Sequence, residues 1–214
     1  MRWTNLRQGK PHSVGAVLRW QGMLNVKGVR DGDGLPLVLD DALGPRTSAA
    51  ARRAWRAMLG PKKSLPTGSL FTRRLWRYLR RRPIHVGGLH WRLAVASLAC
   101  RYIGTRYVWG GKKWPGIDCS GLSRIAYRIA GITLPHGSWI QQSKCRKVSS
   151  PKQSDLFFVY SRRRVRHVGL MVGHGFVVHA RGVAYGTIAE KIQAVSHRPG
   201  FFGWWRPRAT DKLT

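Results

Sequence analysis

Acidic residues are scarce. Eight Asp and Glu stand against 39 Lys and Arg in 214 residues, a formal net charge of +31. Such a chain cannot neutralise itself and calls for a strongly anionic partner. Nucleic acid, an anionic membrane surface and the acidic polymers of a bacterial envelope all qualify, and composition alone favours nucleic acid, because basic patches usually follow phosphates. Long apolar runs are also missing: nothing approaches the roughly 18 apolar residues of a membrane-spanning helix, so a soluble chain is expected. Residues 1–21 carry Arg and Lys but no apolar stretch followed by small residues. An ordinary secretory signal is therefore not expected, and any export takes another route. The three cysteines, Cys100, Cys119 and Cys145, are odd in number and unrelated in spacing. That excludes a closed disulfide framework and a paired Cys-x-x-Cys zinc site, and leaves at least one thiol free.

What is present divides into three stretches. Val14, Val17, Leu18, Gln21 and Leu24 recur at helical spacing, and a second helical run over 47–58 follows the turn Leu43-Gly44-Pro45-Arg46. Between them Asp31-Gly32-Asp33-Gly34 reads as a turn, since the remaining ligands of an EF-hand loop are missing. Leu24-Asn25, the run Leu39-Asp40-Asp41-Ala42-Leu43-Gly44-Pro45-Arg46-Thr47 and the Ala-rich helix after it resemble a small peptidoglycan-binding domain, which assigns residues 1–60 to a helical wall-binding module. The alternative is a helical hairpin that simply packs on the rest. Residues 61–86 hold Lys62, Lys63, Arg73, Arg74, Arg77, Arg80, Arg81 and Arg82 with no acid, interleaved with Leu75, Trp76, Tyr78 and Leu79. This basic amphipathic linker either docks on an anionic membrane surface or packs its apolar stripe on a neighbour with its arginines solvated. From 87 to 208 helical patterns near 89–102 and 119–130 precede β-rich runs at 156–160, 165–172 and 176–180. Helices first and sheet afterwards predict an α+β fold.

The chemistry concentrates in this third stretch. In Gly116-Ile117-Asp118-Cys119-Ser120-Gly121-Leu122, Asp118 occupies an N-cap position, and Leu122, Ile125, Ala126 and Ile129 form the buried stripe of the helix that follows. Cys119 then falls in the first turn, where free N–H groups and the helix dipole favour thiolate over thiol. A thiolate nucleophile needs a base. The run from Arg166 to Ala180 reads as a β-hairpin with a three-residue loop, Gly173-His174-Gly175, which pairs Val172 with Phe176 and sets His179 opposite Gly169. His167 is then a diagonal neighbour of His179 on one face. His167 can take the proton of Cys119 while His179 orients it, as the third member of a triad does. His12, His85, His90, His136 and His197 have no such relation and read as structural or surface residues, with His174 solvated at the loop tip.

Tyr107-Val108-Trp109-Gly110-Gly111, Asp118-Cys119-Ser120-Gly121-Leu122, Gly131-Ile132-Thr133-Leu134-Pro135, Gln142, Asp155-Leu156-Phe157-Phe158, His167-Val168-Gly169 and Val178-His179-Ala180 together resemble the NlpC-type, papain-like cell-wall cysteine peptidase family, in its unpermuted order over about 120 residues. The resemblance implies helices packed on an antiparallel sheet, a triad of Cys119, His167 and His179, and substrate subsites lined by Tyr107, Asp118 and Ser120. It implies hydrolysis of wall stem peptides, commonly between γ-D-glutamate and the diamino acid, with no metal or organic cofactor. Asp155 matches the acid of a Pro-Gly-Asp turn, with Gln153-Ser154 in place of Pro-Gly. The expected partners are peptidoglycan and anionic wall polymers, without a specific nucleic acid. A chain with no evident signal, a wall-binding module and this charge fits a phage lysin or virion-associated hydrolase, made in the cytoplasm and reaching the wall by release or injection. An antibacterial effector and an acyltransferase on the same fold are the enzyme alternatives, and a basic nucleic-acid or envelope-binding protein is the alternative outside enzymes.

Overall fold

The computed structural model describes Leu6 and residues 12–213. The rest of residues 1–11, which belong to the expected wall-binding module and to the segment read for a signal, lie outside the described residues, as does Thr214. Three helices come first: α1 (Ala16–Val26), α2 (Pro45–Leu59) and α3 (Arg73–Arg81). Pro45 at the first position of α2 brings a φ already suited to a helix, and Gly60 closes that helix. Thr72 caps α3 by accepting the N–H of Leu75. For α1 the cap comes from far along the chain. The Asp41 carboxylate receives the N–H groups of Gly15, Val17 and Leu18 at 2.8, 3.0 and 3.0 Å, and Asp40 takes the buried Gln21 amide at 2.7 Å. Asp31 accepts the N–H groups of Asp33 and Leu35 and pairs with Arg46, which closes the Gly and Asp-rich segment as a turn.

Helix α1 is buried on two sides. Val17, Trp20, Met23 and Leu24 pack with Ala50, Ala54 and Trp55 of α2 and with Leu75, Trp76 and Leu79 of α3. Leu18 and Val26 belong instead to the larger core, with Val95 and Ala99. The basic segment is thus the third helix of a packed cluster, its apolar stripe inward and Arg73, Arg74, Arg77, Arg80 and Arg81 exposed. Of the two readings open for residues 61–86, the structure has the packed one.

Helix α4 (Trp91–Arg101) leads into a small three-stranded sheet of β1 (Arg106–Tyr107), β2 (Lys112–Lys113) and β3 (Gly116–Ile117). After α5 (Cys119–Arg128) and α6 (Ser138–Ser143) come β4 (Cys145–Val148), β5 (Leu156–Ser161), β6 (Arg164–Gly173), β7 (Phe176–Gly182) and β8 (Gly186–Lys191). Then α7 (Ile192–Ser196), β9 (Phe201–Pro207) and a 3₁₀ turn (Arg208–Lys212) complete the described chain. The main sheet is antiparallel in the order β4-β9-β5-β6-β7-β8. The architecture is α+β. Because side chains alternate along a strand, Leu156, Phe158, Val168, Leu170, Val172 and Val178 face Val95, Leu122, Ala126 and Tyr127 of α4 and α5. Phe157 and Val177 point the other way, onto Val195 and Trp204. Each fully buried Leu or Phe contributes about 1.5–3 kcal/mol, and this double-sided burial fixes the register of the strands that carry the histidines. At the start of β5, Ser154 adopts φ 76°, so the Gln153-Ser154-Asp155 turn uses a left-handed residue without glycine. The buried Asp155 carboxylate holds it, bound at 2.8 and 2.7 Å by the Arg206 guanidinium.

The seam between α1 and α4 yields a test whose sign is informative. Replacing a glycine inside a helix by alanine ordinarily stabilises by roughly 0.5–1 kcal/mol. A Cβ on Gly22, however, would lie 2.5 Å from the Ser97 carbonyl oxygen and 2.7 Å from the Cys100 Cβ. Gly22→Ala should therefore destabilise, by about 1–3 kcal/mol as in other overpacked cores, and lower the melting temperature by several degrees. An unchanged or raised melting temperature would show that α1 and α4 are not in this contact.

Candidate active site

Cys119 opens α5, and Asp118 holds that opening together. One Asp118 oxygen accepts the N–H of Gly121 at 2.6 Å and the Ser120 hydroxyl at 3.0 Å. The other accepts the N–H of Gly110 at 3.0 Å and bonds His136 Nε2 at 2.9 Å. The glycine-rich loop lies so close that a Cβ on Gly121 would sit 2.1 Å from the Gly111 carbonyl oxygen. Packed in this way, Cys119 is only 7% exposed. Burial and the neighbouring Asp118 charge push its thiol up to about 12, against the N–H groups of Val168, Ser120 and Cys119 itself, which pull it down. The sequence predicts a thiolate from the helix start; in the structure desolvation opposes that effect.

The N–H of Val168, the residue after His167, reaches the Cys119 sulfur and brings β6 against the start of α5. Leu170 pairs with Val178 and Met171 with Val177, so continuing the register sets Gly169 across from His179, as the sequence predicts. A Cβ on Gly169 would lie 2.6 Å from the His179 Cβ and 2.4 Å from the Phe157 ring. The loop differs from expectation. Gly173 pairs with Phe176, His174 and Gly175 both have positive φ (50° and 75°), and the register shifts between Met171 and Gly173. This is a two-residue turn of the primed kind, whose twist suits a hairpin, and the irregularity beside it keeps the register of the remaining strand.

His167 Nε2 and His179 Nδ1 are 2.7 Å apart. Beyond them stands a residue the sequence reading missed: Glu190 on β8, with Oε2 2.6 Å from His179 Nε2. Glu190 pairs with Val177 across the β7–β8 ladder, a diagonal neighbour of His179. Arg198 clamps both carboxylate oxygens at 2.6 and 2.8 Å, and Arg181 reaches one at 3.3 Å. Burial raises the Glu190 pKa, but the hydrogen bond from His179 and the charge and hydrogen bond of Arg198 outweigh it and keep the carboxyl ionised. An ionised carboxylate only accepts, so His179 Nε2 must carry the proton and Nδ1 must accept. His167 then donates from Nε2, and its Nδ1 is left as a bare base. Burial, with the charges of His179, Arg198 and Arg181, holds His167 well below 6.5. Burial also lowers His179, against the opposing pull of Glu190. Both rings are neutral near pH 7.

A cleft of about 250 Å³ opens at the thiol, walled by Tyr107, Trp109, Asp118, Cys119, Ser120, His136, Trp139, Arg164 and Arg166. His167 is half-buried and is not one of its walls. Tyr107 is a neutral donor, its pKa pushed up to about 12 by burial and by Cys119 and Asp118. Asp118 and Ser120 line the cleft as expected, yet their bonds run inward, Ser120 also accepting the N–H of Gly137 at 3.1 Å. His136 does not fit its reading as a structural or surface residue without relation to the site, because the 17-residue excursion after Cys119 returns it to Asp118. Cys100 and Cys145 are buried and unpaired, and burial raises both thiols. Among the described residues no group of three His, Cys, Asp or Glu is disposed to hold a metal ion.

A thiol at a helix start, with a histidine pair on the hairpin that packs against that start, is the arrangement to compare with known proteins. Residues 104–199 match the NlpC/P60 family model. The chain carries an NlpC/P60 family domain. Over 92 residues it is 41% identical to Protein P54 of Enterococcus faecium, covering 41% of this chain and 17% of that protein. Over 128 residues it is 33% identical to the bifunctional muramidase/DL-endopeptidase CwlT of Bacillus subtilis, covering 56% of this chain and 35% of CwlT. This chain therefore spans about a third or less of the length of these curated relatives. The structure of NlpC2 from Trichomonas vaginalis superimposes with a TM-score of 0.51 at 23% identity, over 57% of this chain and 50% of that one, and shares the fold.

Within the NlpC/P60 domain the Glu190 relay can be tested without a substrate. Nitrogen-15 shifts should show His167 with an unprotonated Nδ1, and iodoacetamide should alkylate Cys119, which lines the cleft, ahead of Cys100 and Cys145, which do not. Glu190→Gln offers His179 a donor as well as an acceptor and so permits the reversed tautomers. Alkylation at pH 7 should slow roughly tenfold, a modest share of what a general base contributes, while Glu190→Asp retains more of the rate. A wild-type spectrum with the proton on His167 Nδ1 would refute the relay.

Proposed function

We propose that this chain is a peptidoglycan hydrolase, a cysteine endopeptidase that cuts wall stem peptides at the bond from γ-D-glutamate to the diamino acid. The observation that carries the reading is the line from Glu190 through His179 to His167, on the strand whose Val168 N–H reaches the sulfur of Cys119, a residue that lines a cleft. The family match and the names of the curated relatives, endopeptidases among them, support the same reaction. His167 Nδ1 takes the thiol proton as sulfur attacks the amide carbonyl. The resulting oxyanion is met by the N–H of Cys119 and by the neutral Tyr107 hydroxyl. The tetrahedral intermediate expels the amine, which receives that proton from His167. Water, deprotonated by His167, then hydrolyses the thioester and restores the thiol. His179 acts as the positioning partner of the base, with Asp118 and Ser120 shaping the subsite walls.

The helical segment and the charge are read as delivery to an anionic wall. Supporting this are a cavity of about 420 Å³ bounded by Leu43, Arg52 and residues 65–71, and the exposed arginines of α3. A lysin or virion-associated role, with action at the wall after release or injection, is the setting in which so basic a hydrolase meets its polymer.

Incubating purified sacculi with the protein and identifying released peptides by mass spectrometry tests the reading. Cys119→Ala should abolish release while the fold persists, whereas Cys100→Ala and Cys145→Ala keep activity. His179→Ala should be milder than His167→Ala, because a general base acts in every turnover and an orienting group loses only part of its effect. Peptide release by Cys119→Ala at the normal rate would refute the mechanism.

The pH profile has a definite sign. His167 must be neutral to act, and its pKa lies well below 6.5 in the folded protein. Activity should persist as pH falls past 6.5 and fail only once the depressed pKa is reached. Stability should decline sooner, because below about 6.5 the unfolded chain binds protons that the folded one refuses. An acid limb of kcat centred at or above 6.5 would contradict the buried neutral base.

A further inference from the structure

The cleft at Cys119 offers a substrate donors more readily than acceptors. Asp118 is the one acidic residue among its walls, and that carboxylate is fully engaged. One oxygen takes the N–H of Gly121 and the Ser120 hydroxyl, and the other meets the N–H of Gly110 and His136 Nε2, at 2.6, 3.0, 3.0 and 2.9 Å. Four partners fill the roughly four lone-pair sites of a carboxylate. Ser120 is engaged as well, because its hydroxyl donates to Asp118 and accepts the N–H of Gly137. A substrate ammonium therefore finds no open acceptor on either side chain.

Two arginines of β6 bring the opposite charge. Arg164 and Arg166 line the cleft and are exposed, and neither enters an ion pair among the described residues. The Arg164 guanidinium stands 5.8 Å from the ring centroid of Trp139, another wall of the cleft. Stacking of this kind places a guanidinium without neutralising it. On the same strand the Val168 N–H reaches the Cys119 sulfur. Arg166 and Arg164 precede Val168 by two and four residues, about 7 and 13 Å along the strand at roughly 3.3 Å per residue. That spacing matches groups within a few residues of a carbonyl seated at the thiol.

A glutamate joined through its γ-carbonyl keeps its α-carboxyl outside the main chain, close to the bond that is cut. Guanidinium N–H groups hold a carboxylate by charge-assisted hydrogen bonds and gain less from a carboxamide. We propose that this cleft selects stem peptides by charge, taking those with free carboxylates beside the scissile bond, received by Arg164 and Arg166, and with an acylated terminal amine. The selectivity rests on the peptidase reading and extends it from a bond to a substrate class.

Three soluble peptides test it at about 0.15 M salt, where charges beyond about 8 Å are screened: N-acetyl-L-alanyl-γ-D-glutamyl-diaminopimelate, its carboxamide form, and the acid form with the alanine amine free. The acetylated acid should be cut with a kcat/KM at least tenfold above that of the carboxamide, and the free-amine peptide should be cut no faster than the acetylated one. Arg164→Gln with Arg166→Gln, on exposed side chains that folding does not require, should slow the acid tenfold or more and leave the carboxamide within about twofold. Arg162→Gln with Arg163→Gln, which removes the same charge from the turn beside them, should leave both rates within about twofold. Equal rates on acid and carboxamide, or equal losses in the two arginine pairs, would overturn the selectivity, and faster cutting of the free-amine peptide would overturn the closed acceptor at Asp118. Calorimetric titration of the same peptides into full-length Cys119→Ala separates this inference from the reaction. A tenfold preference in Kd for the acid, with no peptide cut by the wild type, would refute the peptidase reading and keep the selectivity. Cutting without any preference would do the reverse.

Discussion

An ionised carboxylate can only accept hydrogen bonds, and that restriction at Glu190 sets the state of every group before it in the line. It makes His179 a donor at Nε2, hence an acceptor at Nδ1, hence makes His167 a donor at Nε2 and a base at Nδ1. A histidine pair alone is ambiguous, because two neutral imidazoles can share a proton in either direction. The acid removes the ambiguity, and Arg198 and Arg181 keep it an acid rather than a protonated carboxyl. The sheet makes this possible by placing β6, β7 and β8 side by side, so that three residues far apart in sequence become diagonal neighbours on one surface.

The same economy governs the other carboxylates. With eight acids in a chain of net charge +31, most of those described stand at junctions between elements. Asp41 caps α1 from the loop after it, Asp31 closes a turn against Arg46, Asp118 ties the glycine-rich loop to the nucleophile's helix, and Asp155 joins β5 to Arg206 on β9 and Arg92 on α4. Surface ion pairs contribute little, but a buried carboxylate stripped of its partners is expensive. These acids therefore fix local geometry more firmly than their number suggests.

Legibility from sequence followed how local the determining physics is. The nucleophile's helix was readable because its cap, its stripe and its end lie within about fifteen residues. The histidine register was readable because a hairpin is local and alternation has a strict period of two. The two-residue turn was not, since a ladder irregularity beside Val172 restores the same register from a shorter loop. Strand β4 escaped because Cys145-Arg146-Lys147-Val148 has little apolar content, and β9 because Gly203 and Pro207 interrupt an aromatic run. Glu190 sits on a strand that was not assigned, and only the rarity of acids in Gly186-Thr187-Ile188-Ala189-Glu190 pointed to it. The second buried face of α1 was hidden for a related reason: a helix packed on two sides has no single stripe.

Burial of the thiol and ionisation of the distant acid together describe a resting state that holds its reactivity back. Burial pushes the Cys119 thiol up to about 12, which favours the thiol over the thiolate. His167, on the strand packed against the start of α5, is neutral, and its Nδ1 is left able to accept a proton. Proton transfer is then coupled to attack instead of preceding it, and the N–H groups of Cys119, Ser120 and Val168 meet negative charge as it develops. A pre-formed thiolate–imidazolium pair would need His167 to be charged, which burial and three neighbouring cationic or imidazole groups oppose. In this chain, surrounded by arginines, a neutral pair held by one carboxylate is the arrangement that electrostatics permits.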